Sequence, residues 1–362
     1  MLAQRSRNSE DLPMDHDIDD VIDGRYKLIE VVGQGGHGVV YRALDQETGT
    51  HVAVKYLRPE FSSDPALKAR MRREASAMGA LSGTSATQVF AFSEAPDGTL
   101  YIVMEFLKGS DLETTLRRLE ARNQRLPLAR LRELFRPIID TLDAAHARGI
   151  VHRDLKPANI FVLDIDASGP PSSRSPRHRG NPGHAAHGSP PAVDAIRAAG
   201  DGAGGGAPAD RGAANRGGVR LLDFGLVKVM QADPLTREGA IPGSPSYIAP
   251  EVWKGRPQEI DHRIDIYSLG AVIFRALAGR VPFAGASRVD ILLAAARGPR
   301  PSLHAFRPDL PPEVDAWVAR ALAVIPEERF QDVRALWSAL EPLLDRAARA
   351  EAEAAGGGAI PR

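Results

Sequence analysis

The segment HRDLKPAN, residues 152–159, is the most informative part of this sequence. It places the carboxylate of Asp154, the ammonium group of Lys156 and the amide of Asn159 within six consecutive residues. In the preceding segment, apolar residues recur at the spacing of a helix that buries one face. The residues at this spacing are Leu131, Leu134, Ile138, Leu142, Ala145 and, as a further position, His146. The following segment, NIFVLD, has the composition of a strand. We therefore expect the three polar side chains on a loop that a helix and a strand hold in place.

The regions before and after this loop differ in their predicted secondary structure. Residues 25–105 contain mainly segments rich in β-branched and aromatic residues, and one helical segment, LKARMRREASAMGAL. The strand segments are YKLIEVV, VVYRALD, HVAVKYL, VFAF and LYIVMEF. Further helices are predicted over residues 263–279, 287–297, 312–323 and 331–349. The sequence thus predicts an α+β, two-lobed fold, with a small antiparallel sheet and one main helix first, and a larger helical lobe after it.

The composition excludes several classes of protein. The chain has 362 residues, of which 43% are apolar, and it has no cysteine. It can therefore bury a sizeable core, but it cannot form a disulfide framework, a thiolate nucleophile or a cysteine-ligated metal site. Basic and acidic residues both number 46, so no net field attracts nucleic acid or anionic lipid. The N-terminus lacks a signal peptide's apolar stretch, and the uncharged run IYSLGAVIF is far shorter than the ~20 residues that span a bilayer. We expect a cytoplasmic protein with no nucleic-acid or membrane partner.

Changes in composition predict the domain boundaries. Residues 1–24 are polar and rich in aspartate, and we expect a disordered acidic tail. A calcium loop that begins at Asp15 would need glycine and glutamate where Asp20 and Tyr26 stand. One domain is predicted over residues 25–345, with its lobes at 25–105 and 106–345, and a C-terminal tail over 346–362. Residues 167–218 contain mainly Gly, Pro, Ser, Ala and Arg, which predicts a disordered insert in a turn between two strands. Lengthening that turn costs about 2 kcal/mol.

A glycine-rich segment, GQGGHGVV at residues 33–40, lies between two predicted strands. Glycines there let backbone amides approach phosphate groups without a side-chain clash, although a plain hairpin turn explains them equally well. The next strand carries Lys55 between apolar neighbours. A lone lysine in a strand is usually only exposed, but below a glycine-rich loop it can pair with phosphate oxygens. Glu74 on the following helix is the candidate carboxylate to hold it.

Five motifs in order resemble the eukaryotic-type protein kinase family, in particular its bacterial serine/threonine members. HRDLKPAN matches the catalytic-loop pattern HRDxxxxN at every position. Asp223-Phe224-Gly225 resembles the DFG motif, and Ala249-Pro250-Glu251 resembles the APE motif. Asp265 resembles the helix aspartate that supports the catalytic loop, and Arg329 resembles the arginine that pairs with the APE glutamate. The resemblance covers residues 25–345 without the insert.

The resemblance implies a role for each site residue. Asp154 would receive the hydroxyl proton and Lys156 would lie near the transferred phosphoryl group. Asn159 and Asp223 would bind Mg²⁺, and Lys55, held by Glu74, would bind the phosphates of ATP. The other nucleotide contacts that it implies are Val32, Gly33, Gly35, Gly36, Gly38, Val40, Ala53, Glu105, Leu107 and Phe161. Met104 would be the gatekeeper. Asp111 would contact ribose or a basic substrate residue, or would simply cap a helix.

The function implied by this resemblance is transfer of the γ-phosphoryl group of Mg-ATP to serine and threonine hydroxyls of protein substrates. The alternatives are a non-catalytic, pseudokinase-like signalling scaffold and a small-molecule phosphotransferase. Lys55, Asp154, Asn159 and Asp223 argue against the scaffold, and the APE segment argues against the small-molecule enzyme. We also expect autophosphorylation of Thr236 in the activation segment, in trans within a kinase dimer, with Arg153 holding the phosphate.

Overall fold

The computed structural model describes residues 17–35, 38–58, 61, 65–164, 218–224, 245–254 and 260–356. The chain divides into two compact units, Met1–Ala69 with Val89–Phe106, and Arg70–Gln88 with Leu107–Arg362. The first unit is mainly sheet and the second is mainly helix, which confirms the predicted α+β class. No helix in the described part of the chain is long and apolar enough to cross a membrane.

The first unit is built on a six-stranded antiparallel sheet in the order β1-β2-β3-β4-β6-β5. The strands are β1 (Val21–Ile22), β2 (Tyr26–Gly35), β3 (Gly38–Asp45), β4 (Thr50–Leu57), β5 (Val89–Glu94) and β6 (Leu100–Glu105). All five predicted strand segments are therefore strands. Alternate apolar residues give the sheet a face that packs into a core of Leu28, Tyr41, Val54, Tyr56, Tyr101, Val103 and their neighbours.

The first strand corrects the predicted tail. Ile22 is buried and pairs with Tyr26, although residues 1–24 were expected to be disordered. Asp23 and Gly24 both have positive φ, 50° and 66°, and Arg25 N donates to Ile22 O. This is the geometry of a tight hairpin turn, for which Asp-Gly is the strongest short sequence signal. Residues 17–24 therefore belong to the sheet, while residues 1–16 lie outside the described part.

The second unit contains most of the helices and a three-stranded antiparallel sheet. Helix α1 (Pro65–Gly79) crosses the division between the units. The other helices are α2 (Leu112–Ala121), α3 (Leu128–His146), α4 (Arg263–Ala278), α5 (Arg288–Arg297), α6 (Leu303–Phe306), α7 (Val314–Ala321) and α8 (Val333–Gly356). The small sheet has the order β7 (Gly109–Asp111), β8 (Ile160–Leu163) and β9 (Val219–Leu221). All of the predicted helices are helices here.

Helix α8 is longer than the sequence suggested. It continues to Gly356, so the predicted tail 346–362 begins inside it. Leu340, Leu344 and Ala347 keep a helical spacing and are buried. Ion pairs from α3, Arg132 with Asp345 and Arg136 with Glu341, support the same stretch. Residues 357–362 lie outside the described part.

Helix α4 forms the centre of the second unit, because every residue from Ile264 to Ala278 is buried. It ends at Gly279, whose φ of 72° favours glycine. Strands β8 and β9, which flank the predicted insert, pair with each other through Ile160 and Leu221. Leu163 N donates to Gly218 O next to the insert, whose other residues, 167–217, are not described.

Candidate active site

One face of the sheet in the first unit carries Lys55. Val40, Lys55 and Ile102 are directly opposite one another on β3, β4 and β6, and Ala53 lies opposite Met104. Residues opposite each other, and residues two apart on one strand, share a face. Val40, Ala53, Lys55 and Met104 therefore lie together on the face away from the Tyr41–Val54–Val103 core. Lys55 is buried despite its charge.

The glycines at the end of β2 and the glycine at the start of β3 differ in whether the sheet itself requires a residue without a side chain. Gly38 has a φ of 142°, and a Cβ there would lie 1.8 Å from the carbonyl oxygen of Tyr56, so the sheet itself requires glycine. At Gly33 and Gly35, no atom among the described residues lies within 4 Å of such a Cβ. Packing among the described residues therefore does not demand glycine at these two positions, and the open space beside their backbone suits phosphate oxygens. Gly36 is outside the described residues.

The other predicted nucleotide contacts of the first unit lie at strand ends. Val32 on β2 is 46% exposed. Glu105 is the last residue of β6, opposite Val52. The ring of the next residue, Phe106, lies 5.2 Å below the guanidinium of Arg42. Glu74 is in helix α1, but its side chain is outside the described part, so the Lys55–Glu74 ion pair stays a prediction.

In the second unit, the carboxylate of Asp265 supports the catalytic loop. Its Oδ2 accepts hydrogen bonds from His152 N at 2.7 Å and His146 Nε2 at 2.8 Å, and its Oδ1 accepts from Arg153 N at 2.9 Å. Burial would raise the pKa of Asp265, but these donors outweigh burial and lower it. Arg153 has a φ of 66°, a strained conformation that such support can maintain. The expected role of Asp265 is confirmed.

His152 links the loop to the strand that follows the insert. Its Nδ1 accepts from Asp154 N at 3.3 Å, and its Nε2 bonds the carbonyl oxygen of Leu222 at 2.9 Å. A carbonyl can only accept, so the ring is the neutral tautomer with its proton on Nε2. Complete burial lowers the pKa of His152, which keeps the ring neutral. The ring also packs on Phe224, with 4.7 Å between centroids.

Asp154, Lys156 and Asn159 come together as the sequence predicted. Lys156 Nζ donates to Asp154 Oδ2 at 2.7 Å. Asn159 Nδ2 donates to the Asp154 carbonyl at 2.8 Å and to Asp154 Oδ2 at 3.1 Å. Both side chains of the ion pair are about one-fifth exposed, at 18% and 21%, so this carboxylate is oriented but still reachable from solvent.

Asn159 and Asp223 lie at the adjoining ends of two paired strands. Leu222 N donates to Asn159 O at 2.8 Å, just beyond the Ile160–Leu221 pair. A carboxylate and an amide oxygen are ligands that Mg²⁺ accepts. Among the described residues, no group of three or more His, Cys, Asp or Glu could hold a metal by itself. Such a pair fits Mg²⁺, which usually keeps water and substrate phosphates as its other ligands.

A cavity adjoins the catalytic loop within the second unit. Arg153, Asp154 and Lys156 line it on the loop side. Its remaining lining residues are Leu155, Tyr247, Ile248, Ala249, Val252, Ile264 and Ser268. The segment that supplies most of them is anchored by Glu251, which pairs with both terminal nitrogens of buried Arg329 at 2.7 Å. That predicted pair is confirmed. Gly225 and Thr236 lie outside the described residues.

The remaining predicted contacts lie around the small sheet. Leu107 begins the longer segment of the second unit, and half-buried Phe161 on β8 is opposite Asp111 on β7. The Asp111 side chain accepts from Thr114 N at 2.7 Å and caps helix α2. The capping role weighed for Asp111 is therefore present.

Sequence reasoning missed some partners of this site. His146 was taken as one more position of the buried face of α3, whereas its Nε2 is bonded to Asp265. A histidine among apolar residues of a helix was the available signal. Arg275 on α4, with its partners Glu113 and Glu120, was also missed. The neighbouring sequence gives no signal that Glu113 and Glu120 bind a buried arginine, because helix α2 carries many other polar residues.

Comparisons with known proteins agree with this geometry. A family model described as "Protein kinase domain" matches residues 26–168 and 211–335. The probable serine/threonine-protein kinase SCO3848 of Streptomyces coelicolor is 31% identical over 349 residues, which cover 93% of this chain and 43% of that protein. PknA of Mycobacterium tuberculosis is 31% identical over 314 residues, covering 86% of this chain and 59% of PknA. The chain thus spans about half the length of these relatives. A crystal structure of the M. tuberculosis PknI kinase domain has the same fold, with 24% identity, a TM-score of 0.61, and coverage of 91% of this chain and 100% of that one.

Proposed function

The chain belongs to the protein kinase family, and from this premise we propose that it transfers the γ-phosphoryl group of ATP to serine or threonine hydroxyls of proteins. One observation carries the proposal: Asp154, Lys156 and Asn159 form a hydrogen-bonded cluster, and Asp154 and Lys156 line a cavity. The printed names of the relatives, bacterial serine/threonine kinases, support the choice of acceptor. The substrates remain unidentified proteins.

In the proposed reaction, the acceptor oxygen forms a bond to the γ-phosphorus while the bond from that phosphorus to the β,γ-bridging oxygen breaks. The hydroxyl proton passes to the carboxylate of Asp154, which also orients the attacking oxygen. Lys156, 2.7 Å from Asp154 Oδ2, supplies positive charge beside the transferred group. Asn159 and Asp223 would hold Mg²⁺, which when bound neutralises charge on the phosphate oxygens.

The nucleotide contacts follow from the same proposal. The backbone at Gly33, Gly35 and Gly38, with Lys55, would contact the phosphates. Backbone groups of Glu105 and Leu107 would bond the adenine edge. The apolar side chains that would contact the adenine ring are Val32, Val40, Ala53 and Phe161. A second candidate function, the non-catalytic scaffold, has no observation in its favour, since Lys55, Asp154, Asn159 and Asp223 are all present.

Regulation by autophosphorylation is a finer part of the proposal. Arg153 is exposed at the rim of the cavity and precedes Asp154, so it could hold a phosphate bidentately. Thr236 is the proposed acceptor, phosphorylated in trans within a dimer. Mass spectrometry of active enzyme should find phosphate on Thr236, and Thr236→Ala should lower activity several-fold. Full activity without that phosphate would contradict the switch.

Transfer of labelled phosphate from [γ-³²P]ATP to a generic basic protein tests the main proposal. Asp154→Asn keeps the shape of the side chain but removes the proton acceptor. We expect a loss of turnover on the order of 100-fold or more, with ATP affinity within about twofold of wild type. Asp345→Asn, a half-exposed partner of Arg132, is the matched control and should keep full turnover. Near-normal transfer by Asp154→Asn would refute the assigned role.

A further inference from the structure

Helix α4 buries a second charge that the catalytic loop does not use. Within this fully described helix, the charged residues among the buried stretch Ile264–Ala278 are Asp265 in the first turn and Arg275 in the last. Asp265 supports the catalytic loop. Arg275 lies between Phe274 and Ala276 in an otherwise apolar helix, where an apolar side chain would avoid the cost of burying a charge. Packing alone therefore does not explain why a charged residue, Arg275, is buried at this position.

The guanidinium of Arg275 binds three partners at once. Its Nε and one terminal nitrogen donate to the two carboxylate oxygens of Glu120 at 2.8 and 3.0 Å. The other terminal nitrogen donates to Glu113 Oε2 at 2.6 Å and to the phenol oxygen of Tyr247 at 2.7 Å. Burial lowers the pKa of Arg275, but the two glutamates outweigh it and raise the pKa, so the group stays charged. The planar fork of arginine makes this geometry, which the ammonium of lysine cannot copy.

Tyr247 is the partner that reaches the candidate active site. Tyr247 lines the same cavity as Asp154 and Lys156. Helix α4 holds this residue at both ends, because Ser268 Oγ donates to the Tyr247 carbonyl at 2.7 Å while Arg275 bonds the phenol. Seven residues separate Ser268 from Arg275, which is about 10.5 Å along a helix. The ring is thus fixed along α4 as one wall of the cavity.

We propose that Arg275 is a positioning residue that holds Tyr247 as a wall of the cavity and so sets the affinity for the acceptor segment of protein substrates. This inference rests on the proposed kinase function. Glu113 and Glu120, both on the same side of α2, fix the guanidinium, and Glu113 is itself bonded to exposed Arg117. Loosening Arg275 lets the Tyr247 ring move, which weakens binding of the acceptor more than it affects ATP.

Steady-state kinetics with a generic basic acceptor protein test this proposal. Arg275→Lys keeps the charge but loses the fork, and Tyr247→Phe keeps the ring but loses the phenol oxygen. For both variants we expect the KM for the acceptor to rise about 5- to 10-fold, with kcat and the KM for ATP within twofold. Arg307→Lys is the matched control, because Arg307 is a buried arginine bonded to Asp309 and Leu277 O outside the cavity lining. It should leave the acceptor KM unchanged.

The double variant sharpens the test. If both residues act through the one bond between them, Arg275→Lys with Tyr247→Phe should raise the acceptor KM no further than either change alone. An acceptor KM in the double variant that rises by the product of the two single effects would overturn the inference. An unchanged acceptor KM in folded Arg275→Lys would also overturn it, and both outcomes would leave the kinase function intact. If Arg275→Lys does not fold, an unchanged KM in Tyr247→Phe overturns it equally. Wild-type protein that transfers no phosphate at all would overturn the proposed function, and this inference with it.

Discussion

The candidate site residues of the sheet and those of the catalytic loop are held in place by different means. Lys55 lies between β3 and β6, in register with Val40 and Ile102, so a ladder of backbone hydrogen bonds sets its position. The loop has no ladder. Its backbone groups at His152 and Arg153 bond instead to the single buried carboxylate of Asp265. The sheet therefore spreads the positioning over many backbone bonds, whereas the loop depends on a few side chains, of which Asp265 accepts the most hydrogen bonds from the loop backbone.

The largest effect predicted from this contrast follows from Asp265→Asn. Its two carboxylate oxygens accept from three donors, and an amide offers only one oxygen and no negative charge. A displaced loop misplaces Asp154, and a shift of about 1 Å can cost on the order of 100-fold in rate. We expect kcat to fall by about that factor, with ATP affinity within about twofold by calorimetry. A kcat within threefold of wild type would show that other contacts hold the loop.

A smaller effect is expected for glycine substitutions in the sheet. Gly38→Ala would place a Cβ against the Tyr56 carbonyl at a positive φ, and should lower the free energy of unfolding by about 1–3 kcal/mol. Gly35→Ala meets no described atom within 4 Å, so its unfolding free energy should change by less than about 0.5 kcal/mol. Its KM for ATP should nevertheless rise several-fold. Urea unfolding measures the stability of the two variants, and steady-state kinetics measure their KM for ATP. Equal losses of stability in Gly38→Ala and Gly35→Ala would contradict the prediction that the sheet requires glycine only at Gly38.

The smallest effect concerns pH. Burial lowers the pKa of His152 from its ordinary value of 6.5, so the unfolded chain binds a proton there that the folded chain does not. The stability contribution of a neutral His152 is therefore complete above pH 6.5 and is lost as the pH falls below it, by at most about 1.4 kcal/mol per pH unit. The pKa of Asp265 is also lowered, so the stability that its carboxylate contributes is complete above its unfolded value of 3.8 and is lost only as the pH falls below 3.8.

His152→Phe removes that proton and should flatten the pH dependence of the urea midpoint between pH 5 and 7. The exposed His51 provides the control, because His51→Gln should leave the slope as in wild type. An unchanged slope in His152→Phe would mean that the loop accepts a charged histidine.

Local signals were sufficient for part of the fold and of the site. The β-branched and aromatic residues of HVAVKYL predicted strand β4 with Lys55 on it. The pattern HRDLKPAN predicted the cluster of Asp154, Lys156 and Asn159, because these groups lie within six residues. Strand β1 was missed even though Asp23-Gly24 was a readable turn signal. The end of α8, residues 350–356, was missed although the alanines and glutamates there favour a helix.

By itself the sequence determined the order of strands and helices, the family resemblance and the residues that carry the proposed chemistry, since each depends on neighbours along the chain. Only the tertiary structure decided which buried charges meet. Arg275 bonds Glu113 and Glu120, which precede it by 162 and 155 residues, and Asp265 bonds His146, 119 residues away. No local pattern encodes such partners. Their choice depends on which side chains the packed helices bring within hydrogen-bond distance, where a buried charge is stable only with a partner.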